Sequence, residues 1–270
     1  MSERSQSPGS SLRGLIDAPL TVFDIGAAGT FRELPRLAPL CVLHTFEPRA
    51  DAAIHRHEVA LAGAAGTREL FVTINGNASS MLRPNQLIID RWAAERPEEV
   101  SGFDLARTDT IECTTLDAIA AQNRIGAVDY MKVDTQGTEL EILLGDERTL
   151  QNTSIIRSEV EFVELYEQQP LFDDMVRELS GRGFRFVNFG YGQKVGDKRI
   201  WSDGVFARRS LAGKQAVKAA LSCWTSATRP TRYGSCGTPE SMLGRSSKYV
   251  KSCRCVLETS PGRFVTSCDF

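Results

Sequence analysis

The sequence predicts an α/β fold built on a doubly wound, mostly parallel seven-stranded sheet that ends in an antiparallel C-terminal hairpin strand. Two observations support this class. Short, continuously apolar segments alternate with amphipathic ones from about residue 20 to 183, as expected for strands buried on both faces of a sheet. Two strand-like segments then follow each other across a glycine-rich link, which is typical of a hairpin. Together these patterns indicate a Rossmann-like domain.

The strand segments are recognised by apolar runs or by alternation, with turn residues between them. They are residues 20–25, 41–46, 58–61, 69–74, 108–114, 128–133, 154–162, 184–189 and 200–207.

The helices are predicted from apolar spacing and from residues that favour helix ends. They cover residues 84–96, 116–122, 138–145 and 170–183. Thr115 is expected to cap the second helix. Thr138 and Glu141 have the spacing of a capping box at the start of the third, which would end at Gly145. Pro170 is expected at the first position of the fourth.

The overall composition favours a soluble enzyme or binding protein over a nucleic-acid or membrane protein. The chain of 270 residues has a formal net charge of -2, which does not favour a nucleic-acid or membrane-surface partner. No apolar run approaches the length of a membrane span, and residues 1–14 lack the apolar core of a signal peptide. We therefore expect a cytoplasmic protein with a flexible N-terminus over residues 1–14 and a folded domain over residues 15–209.

Residues 210–270 differ in composition from the rest of the chain. They hold nine Lys and Arg against three Asp and Glu, sixteen Ser and Thr, and five of the seven cysteines. The cysteines include no C-x-x-C pair and no nearby histidine, so their spacing does not favour zinc, and we predict no metal. We expect this tail to be poorly ordered or weakly folded.

The first strand runs into the motif VFDIGAAGT, residues 22–30, which suggests a cofactor turn. A dinucleotide-binding turn has the spacing G-x-G-x-x-G, whereas this motif has only Gly26-x-x-Gly29. Asp24 would repel a pyrophosphate, and the first basic residue after it is Arg32. An NAD-linked oxidoreductase remains an alternative, but these features argue against it.

S-adenosylmethionine has the opposite electrostatic requirement, because it lacks phosphate and carries a sulfonium and an ammonium. Asp24 would attract these cationic groups, and the small residues of the turn would let the backbone approach the ligand. Glu47 follows the second strand, where an acid can accept hydrogen bonds from both ribose hydroxyls. The acid–turn–acid arrangement therefore predicts S-adenosylmethionine as the cofactor.

Four segments together resemble the FkbM family of S-adenosylmethionine-dependent methyltransferases over residues 20–208. They are VFDIGAAGT, HTFEP, VDYMKVDTQGTELEILLG and SEVEFVELYEQQPLFDDMVRELSGRGF. The resemblance implies a class I O-methyltransferase that acts on hydroxyls of sugars or natural products.

The resemblance also implies roles for particular residues. Asp24, Gly26, Ala27 and Ala28 would form the cofactor turn, and Glu47 would bind the ribose. Ala60 and Leu61 would lie against the adenine. Asp134 would lie under the methyl donor, with Glu139 close behind.

Methylation of a hydroxyl needs a general base that takes the proton, and three carboxylates are candidates: Asp134, Glu159 and Glu161. The expected acceptor is a small molecule or a glycan; the sequence does not predict the oligomeric state. The sequence departs from the family pattern at Ala27-Ala28-Gly29, where Ala-Asn-x-Gly is common. This departure leaves open a second interpretation, a Rossmann-like binding protein that has lost methyl transfer.

Overall fold

The computed structural model of the protein describes residues 18–26, 38–47, 55–95, 102–195 and 197–213, isolated positions up to residue 219, and residues 256–260 and 263–267. Its strands, numbered along the chain, are β1 (Leu20–Ile25), β2 (Cys41–Phe46), β3 (His55–His57), β4 (Ala60–Leu61), β5 (Gly66–Thr73), β6 (Leu105–Thr114), β7 (Val128–Val133), β8 (Thr153–Glu161), β9 (Phe184–Val195), β10 (Lys198–Arg208), β11 (Val256–Ser260) and β12 (Arg263–Ser267). Its described α-helices are α1 (Gln86–Glu95), α2 (Leu116–Gln122), α3 (Glu139–Gly145), α4 (Glu147–Gln151) and α5 (Phe172–Gly181).

The main sheet has the strand order β3-β2-β1-β7-β8-β10-β9. The first five strands of this order are parallel, and β10 is antiparallel to both of its neighbours. The predicted α/β class, with a mostly parallel sheet and an antiparallel hairpin at its edge, is confirmed. The hairpin strands are longer than predicted, because β9 and β10 extend through most of the glycine-rich link.

The prediction of one sheet for the whole domain is wrong. The segments predicted at 58–61, 69–74 and 108–114 form a separate three-stranded sheet in the order β4-β6-β5. Strands β5 and β6 are buried only at Phe71, Thr73 and Cys113, unlike the nearly continuously buried β7 of the main sheet. Half-buried strands of this kind suit an antiparallel pair that faces solvent. Strand β3, which joins the main sheet, was not predicted.

The helices α2 to α5 pack on one face of the main sheet. Their apolar residues form the largest core together with Phe23, Met131 and Ile156 of the sheet. A smaller core on the strands includes Val22, Tyr130 and also Leu40 and Ala219. Since side chains alternate along a strand, Asp24 and Lys132 extend from the same face as Val22 and Tyr130.

Of the predicted helix caps, one is confirmed and two are wrong. The Thr115 hydroxyl accepts a hydrogen bond from the Ala118 amide at 3.2 Å, as expected. Thr138 precedes α3 but makes no capping bond, and its hydroxyl donates to Thr135 instead. Glu141 cannot complete the box because its carboxylate binds Arg68 at 2.7 Å. The fourth predicted helix corresponds to α5, which begins at Phe172, so Pro170 lies before it rather than at its first position.

Two further findings concern the tail and the membrane. Strands β11 and β12 pair as an antiparallel hairpin within residues 210–270, and the rest of that tail beyond residue 219 lies outside the described residues, so its predicted disorder stays a prediction. Among the helices that the structure describes, none has the length and apolarity needed to cross a membrane.

Candidate active site

The acidic residues singled out from the sequence follow or end neighbouring strands of the main sheet. Strands β2, β1, β7 and β8 are parallel, so their carboxyl ends lie at one edge. This edge carries Asp24 on β1, Glu47 directly after β2, Asp134 directly after β7, and Glu159 and Glu161 on β8. In open α/β sheets ligands bind at this edge, so we place the candidate site there.

Asp24 and Asp134 share one cation, Lys132. Asp24 and Lys132 are register partners on β1 and β7. The Lys132 ammonium lies 3.4 Å from Asp24 and 3.2 Å from Asp134. The sequence near the turn offers no basic residue before Arg32, and the structure supplies one from a distant strand. Charge compensation of Asp24 therefore depends on strand pairing, which sequence proximity could not show.

Gly26 holds the turn after β1 against the backbone after β7. Its φ of +73° lies in the left-handed region, and a Cβ built on it would lie 1.7 Å from the carbonyl oxygen of Asp134. The Gly26 amide donates to the Phe46 carbonyl at 3.0 Å, and the Asp134 amide donates to the Ile25 carbonyl at 3.1 Å. Glycine is needed here because two backbone segments touch. Ala27 and Ala28, also expected in this turn, lie outside the described residues.

Glu139 shapes the turn that follows Asp134. Its carboxylate accepts hydrogen bonds from the backbone amides of Thr135, at 2.6 Å, and Gly137, at 2.9 Å. Burial, partly offset by these amides, raises the pKa of Glu139 to about 7. Glu139 therefore stabilises the turn that presents Asp134.

Gln136 connects two of the three candidate bases and was not singled out from the sequence. Its amide nitrogen donates to Asp134 Oδ1 at 3.0 Å and to Glu159 Oε2 at 2.8 Å. Its amide oxygen lies 3.0 Å from the Tyr166 hydroxyl, and its carbonyl accepts from the Ser80 hydroxyl at 2.6 Å. No local pattern around Gln136 or Tyr166 could indicate these contacts, since they join three separate segments.

Glu159 and Glu161 are side by side on β8 but differ in environment. Glu159 is half-buried, whereas Glu161 is only 3% exposed. Burial, reinforced by neighbouring carboxylates, raises the pKa of both groups well above the usual range. Carboxyl oxygens of Asp134, Glu139 and Glu159 all lie within 4.8 Å of one another. The edge therefore brings several carboxyl groups together, and burial raises the pKa values of Glu139, Glu159 and Glu161 among them.

The other predicted cofactor residues lie directly after β2 and in β4. Glu47 is 9% exposed, and its amide donates to the His57 carbonyl at 3.2 Å. Ala60 and Leu61 form β4 in the small sheet, with buried side chains. In the described part of the chain, no hydrogen bond joins either of them to Asp24 or Asp134. Their predicted place beside an adenine stays a prediction.

The carboxyl groups at this edge fit a cationic, phosphate-free cofactor. Asp24, Glu47 and Asp134 place three carboxyl groups at this edge, and carboxylates are the groups that attract a sulfonium or an ammonium and accept hydrogen bonds from a ribose diol. Glu159 and Glu161 add acidity rather than the cationic groups that a pyrophosphate would need. The residues present are therefore compatible with S-adenosylmethionine.

Comparisons with known proteins identify the family of the chain. Comparison with curated proteins finds no match. A solved structure, the C-terminal domain of precorrin-6Y C5,15-methyltransferase from Rhodobacter capsulatus, is 14% identical, with 77% of this chain and 91% of that chain covered and a TM-score of 0.28. Such a low TM-score supports no conclusion about fold or function. The model of the methyltransferase FkbM domain, however, matches residues 24–186, more than half of the sequence. The chain therefore belongs to the FkbM family of S-adenosylmethionine-dependent methyltransferases.

Proposed function

We propose that this methyltransferase acts on a hydroxyl oxygen of a small-molecule or glycan acceptor, such as a sugar or a natural product. The observation that supports this most strongly is the position and environment of Glu159. Glu159 is a half-buried carboxyl group at the cofactor edge, with one oxygen fixed by Gln136 and a pKa raised by burial. In its ionised form, a carboxyl group with a raised pKa is a stronger base toward a hydroxyl proton than an ordinary carboxylate.

Glu159 is a better general base than the other two candidates. Both oxygens of Asp134 already have donors, Lys132 at Oδ2 and Gln136 at Oδ1. Glu161 is too buried to meet an acceptor, at 3% exposure. Within the described residues, Glu159 Oε1 has no hydrogen-bond donor, so it can receive one from a substrate. We therefore assign proton transfer to Glu159 and an electrostatic role to Asp134.

The remaining residues would bind and orient. When bound, S-adenosylmethionine supplies a methyl group that its sulfonium has already activated. Asp24 and Asp134 would hold the cationic part of the cofactor, and Glu47 would hold the ribose hydroxyls. Aligning an acceptor oxygen with the donor can lower the barrier by roughly 7–11 kcal/mol at best, so positioning carries much of the catalysis.

The charge of the site also limits the acceptor. Asp134, Glu159 and Glu161 lie together, and Asp203 is the register partner of Glu159 on β10. Although Lys132 and Arg157 compensate two of these acids, a phosphate or carboxylate beside the reacting hydroxyl would be repelled. The proposed acceptor is therefore neutral or cationic around that hydroxyl.

The acceptor atom is tested by product analysis. The protein is incubated with S-adenosylmethionine carrying a labelled methyl group and with fractionated small molecules and glycans, and the labelled product is identified by mass spectrometry and NMR. We expect a methyl ether. A methylamine, a methyl ester or a C-methylated product would contradict the proposal.

The base is tested by substitution on the acceptor found in this way. Glu159→Gln should lower turnover by about 10²–10⁴-fold while S-adenosylhomocysteine still binds normally. Glu164 is exposed and follows the end of β8. Glu164→Gln is therefore a matched control that should keep normal turnover. If Asp134→Asn abolishes turnover and Glu159→Gln does not, Asp134 is the base.

A further inference from the structure

We propose that Gln136 is a positioning residue that holds the carboxyl groups of Asp134 and Glu159 in one fixed arrangement, and that Tyr166 in turn fixes Gln136. This inference rests on the proposed function, because it concerns the groups to which that function assigns proton transfer and electrostatic support. It goes further by assigning a role to two residues outside the predicted cofactor and base sets.

The first argument is the bridge itself. The two hydrogens of the Gln136 amide are used on two different acids, Asp134 Oδ1 at 3.0 Å and Glu159 Oε2 at 2.8 Å. Two carboxylates this close repel each other, and their repulsion would drive them apart without a donor between them. A neutral amide can bind both groups without adding charge to either.

The second argument is the orientation of the amide. If it were flipped, its oxygen would face two acidic oxygens, which is unfavourable. In the observed orientation that oxygen instead faces the Tyr166 hydroxyl at 3.0 Å. Tyr166 is 1% exposed, and burial, with the nearby carboxylates, raises its pKa well above the usual range, so it stays a neutral donor.

The third argument is how the position is anchored. The Tyr166 hydroxyl lies 2.9 Å from the Ala78 carbonyl as well as close to Gln136, and its single proton can serve one acceptor at a time. The Ser80 hydroxyl donates to the Gln136 carbonyl at 2.6 Å and accepts from the Leu82 amide at 2.9 Å. The segments around residues 80 and 166 therefore hold Gln136 from two sides, one at its backbone carbonyl and the other at its side-chain amide.

The fourth argument is the backbone at Gln136. Its φ is +60°, a left-handed conformation that glycine adopts more readily than any residue with a side chain. Such conformations occur often at functional sites, where the surroundings enforce them. The surroundings of Gln136 therefore hold it in a conformation that its backbone alone disfavours.

The test measures the ionisation of Glu159 directly. The protein is labelled with ¹³C at the glutamate side-chain carboxyl carbons, the Glu159 signal is assigned with Glu159→Gln, and its titration midpoint is followed by NMR. The charged or acidic groups that face Glu159, and that the analysis of its midpoint must include, are Asp134, Glu139, Glu161, Asp203 and the Tyr166 hydroxyl.

Gln136→Glu should move the Glu159 midpoint upward by at least about one pH unit, because a donor is replaced by a third acid. Gln168→Glu is a matched control. Gln168 is an exposed glutamine whose φ is also +60°, so the control introduces the same charge in the same backbone conformation. In Gln168→Glu the titration midpoint of Glu159 should stay at the wild-type value. An unchanged midpoint in folded Gln136→Glu would overturn the proposal.

Tyr166→Phe provides an independent test that adds no charge, should Gln136→Glu fail to fold. We expect a smaller upward shift of the same midpoint, because the amide of Gln136 is then free to rotate. No shift would show that Tyr166 does not fix Gln136. Both measurements need no acceptor. A failure of the proposed hydroxyl methylation and a failure of this positioning role are therefore separately observable.

Discussion

The backbone of Asp134 occupies the space that a side chain on Gly26 would need. A Cβ at residue 26 would lie 1.7 Å from the Asp134 carbonyl oxygen, and the two segments are further joined by the hydrogen bond from the Asp134 amide to Ile25. Backbone contact thus fixes the distance between Asp24, expected in the cofactor turn, and Asp134, proposed to lie under the methyl donor. The turn after β1 and the turn after β7 act as one unit.

Gly26→Ala should therefore destabilise the protein by at least about 2 kcal/mol, because it adds a clash with backbone to a left-handed conformation. Urea unfolding measures the change. Gly213→Ala is the matched control, since Gly213 has a φ of +54° and, among the described residues beyond its chain neighbours, no heavy atom lies within 4 Å of a built Cβ. Equal losses for the two variants would show that the conformation, and not the contact with Asp134, sets the requirement.

Lys132→Met should destabilise the protein by about 3 kcal/mol, because it removes the ammonium that lies 3.4 Å from the buried carboxylate of Asp24. Adding Asp24→Asn to Lys132→Met should restore part of the loss, since the buried charge is then gone. Arg177→Met, which breaks an exposed pair with Asp174, should change the free energy of unfolding far less, because solvent screens an exposed pair. If the double variant is no more stable than Lys132→Met alone, compensation of Asp24 is not the reason for the loss.

The free energy of unfolding should decrease as the pH rises from about 5 to 7.5. Glu139 has a folded pKa of about 7 against an ordinary value of 4.5, so the folded state binds the proton more tightly. The destabilisation begins near the unfolded pKa and is complete above the folded one, with a contribution of up to about 3 kcal/mol. Glu159 and Glu161 act in the same direction, because their pKa values are also raised.

Urea unfolding at pH 5.5 and pH 8 checks this dependence, with Asp146→Asn as a reference. Burial raises the pKa of Asp146 to about 6, so this group contributes separately, and asparagine keeps an oxygen to accept from the Asp117 amide. A protein whose stability rises over this interval, with or without Asp146→Asn, would refute the raised carboxyl pKa values.

Glu47→Ala should weaken the binding of S-adenosylmethionine by about 1–3 kcal/mol through loss of charge-assisted hydrogen bonds to the ribose. Calorimetry with S-adenosylmethionine and S-adenosylhomocysteine should show the same loss for both ligands, because they share the ribose. Glu95→Ala, at the exposed end of α1, is the control for removal of one negative charge. An unchanged dissociation constant for Glu47→Ala would mean that Glu47 does not hold the ribose.

The sequence by itself predicted the central strands well, for a physical reason. The bounds of β1, β2 and β7 and of α2 match the predicted ones, because strands buried on both faces need continuous apolar runs and Thr115 caps its helix locally. The acids that follow these strands were found for the same reason, since the ends of parallel strands share one edge.

Tertiary structure alone decided which groups those acids meet. The pairing of β1 with β7 places Lys132 beside Asp24. The carboxylate of Glu141, predicted to cap α3, instead accepts a hydrogen bond from Arg68 of the small sheet. Gln136 meets Glu159 and Tyr166 because β8 and the segment around residue 166 lie beside the turn after β7. Local propensity acts over a few residues, whereas these charges and donors are brought together by chain segments far apart in sequence. The sequence therefore determined where the acidic edge lies, and the packing of distant segments determined how its acids are paired.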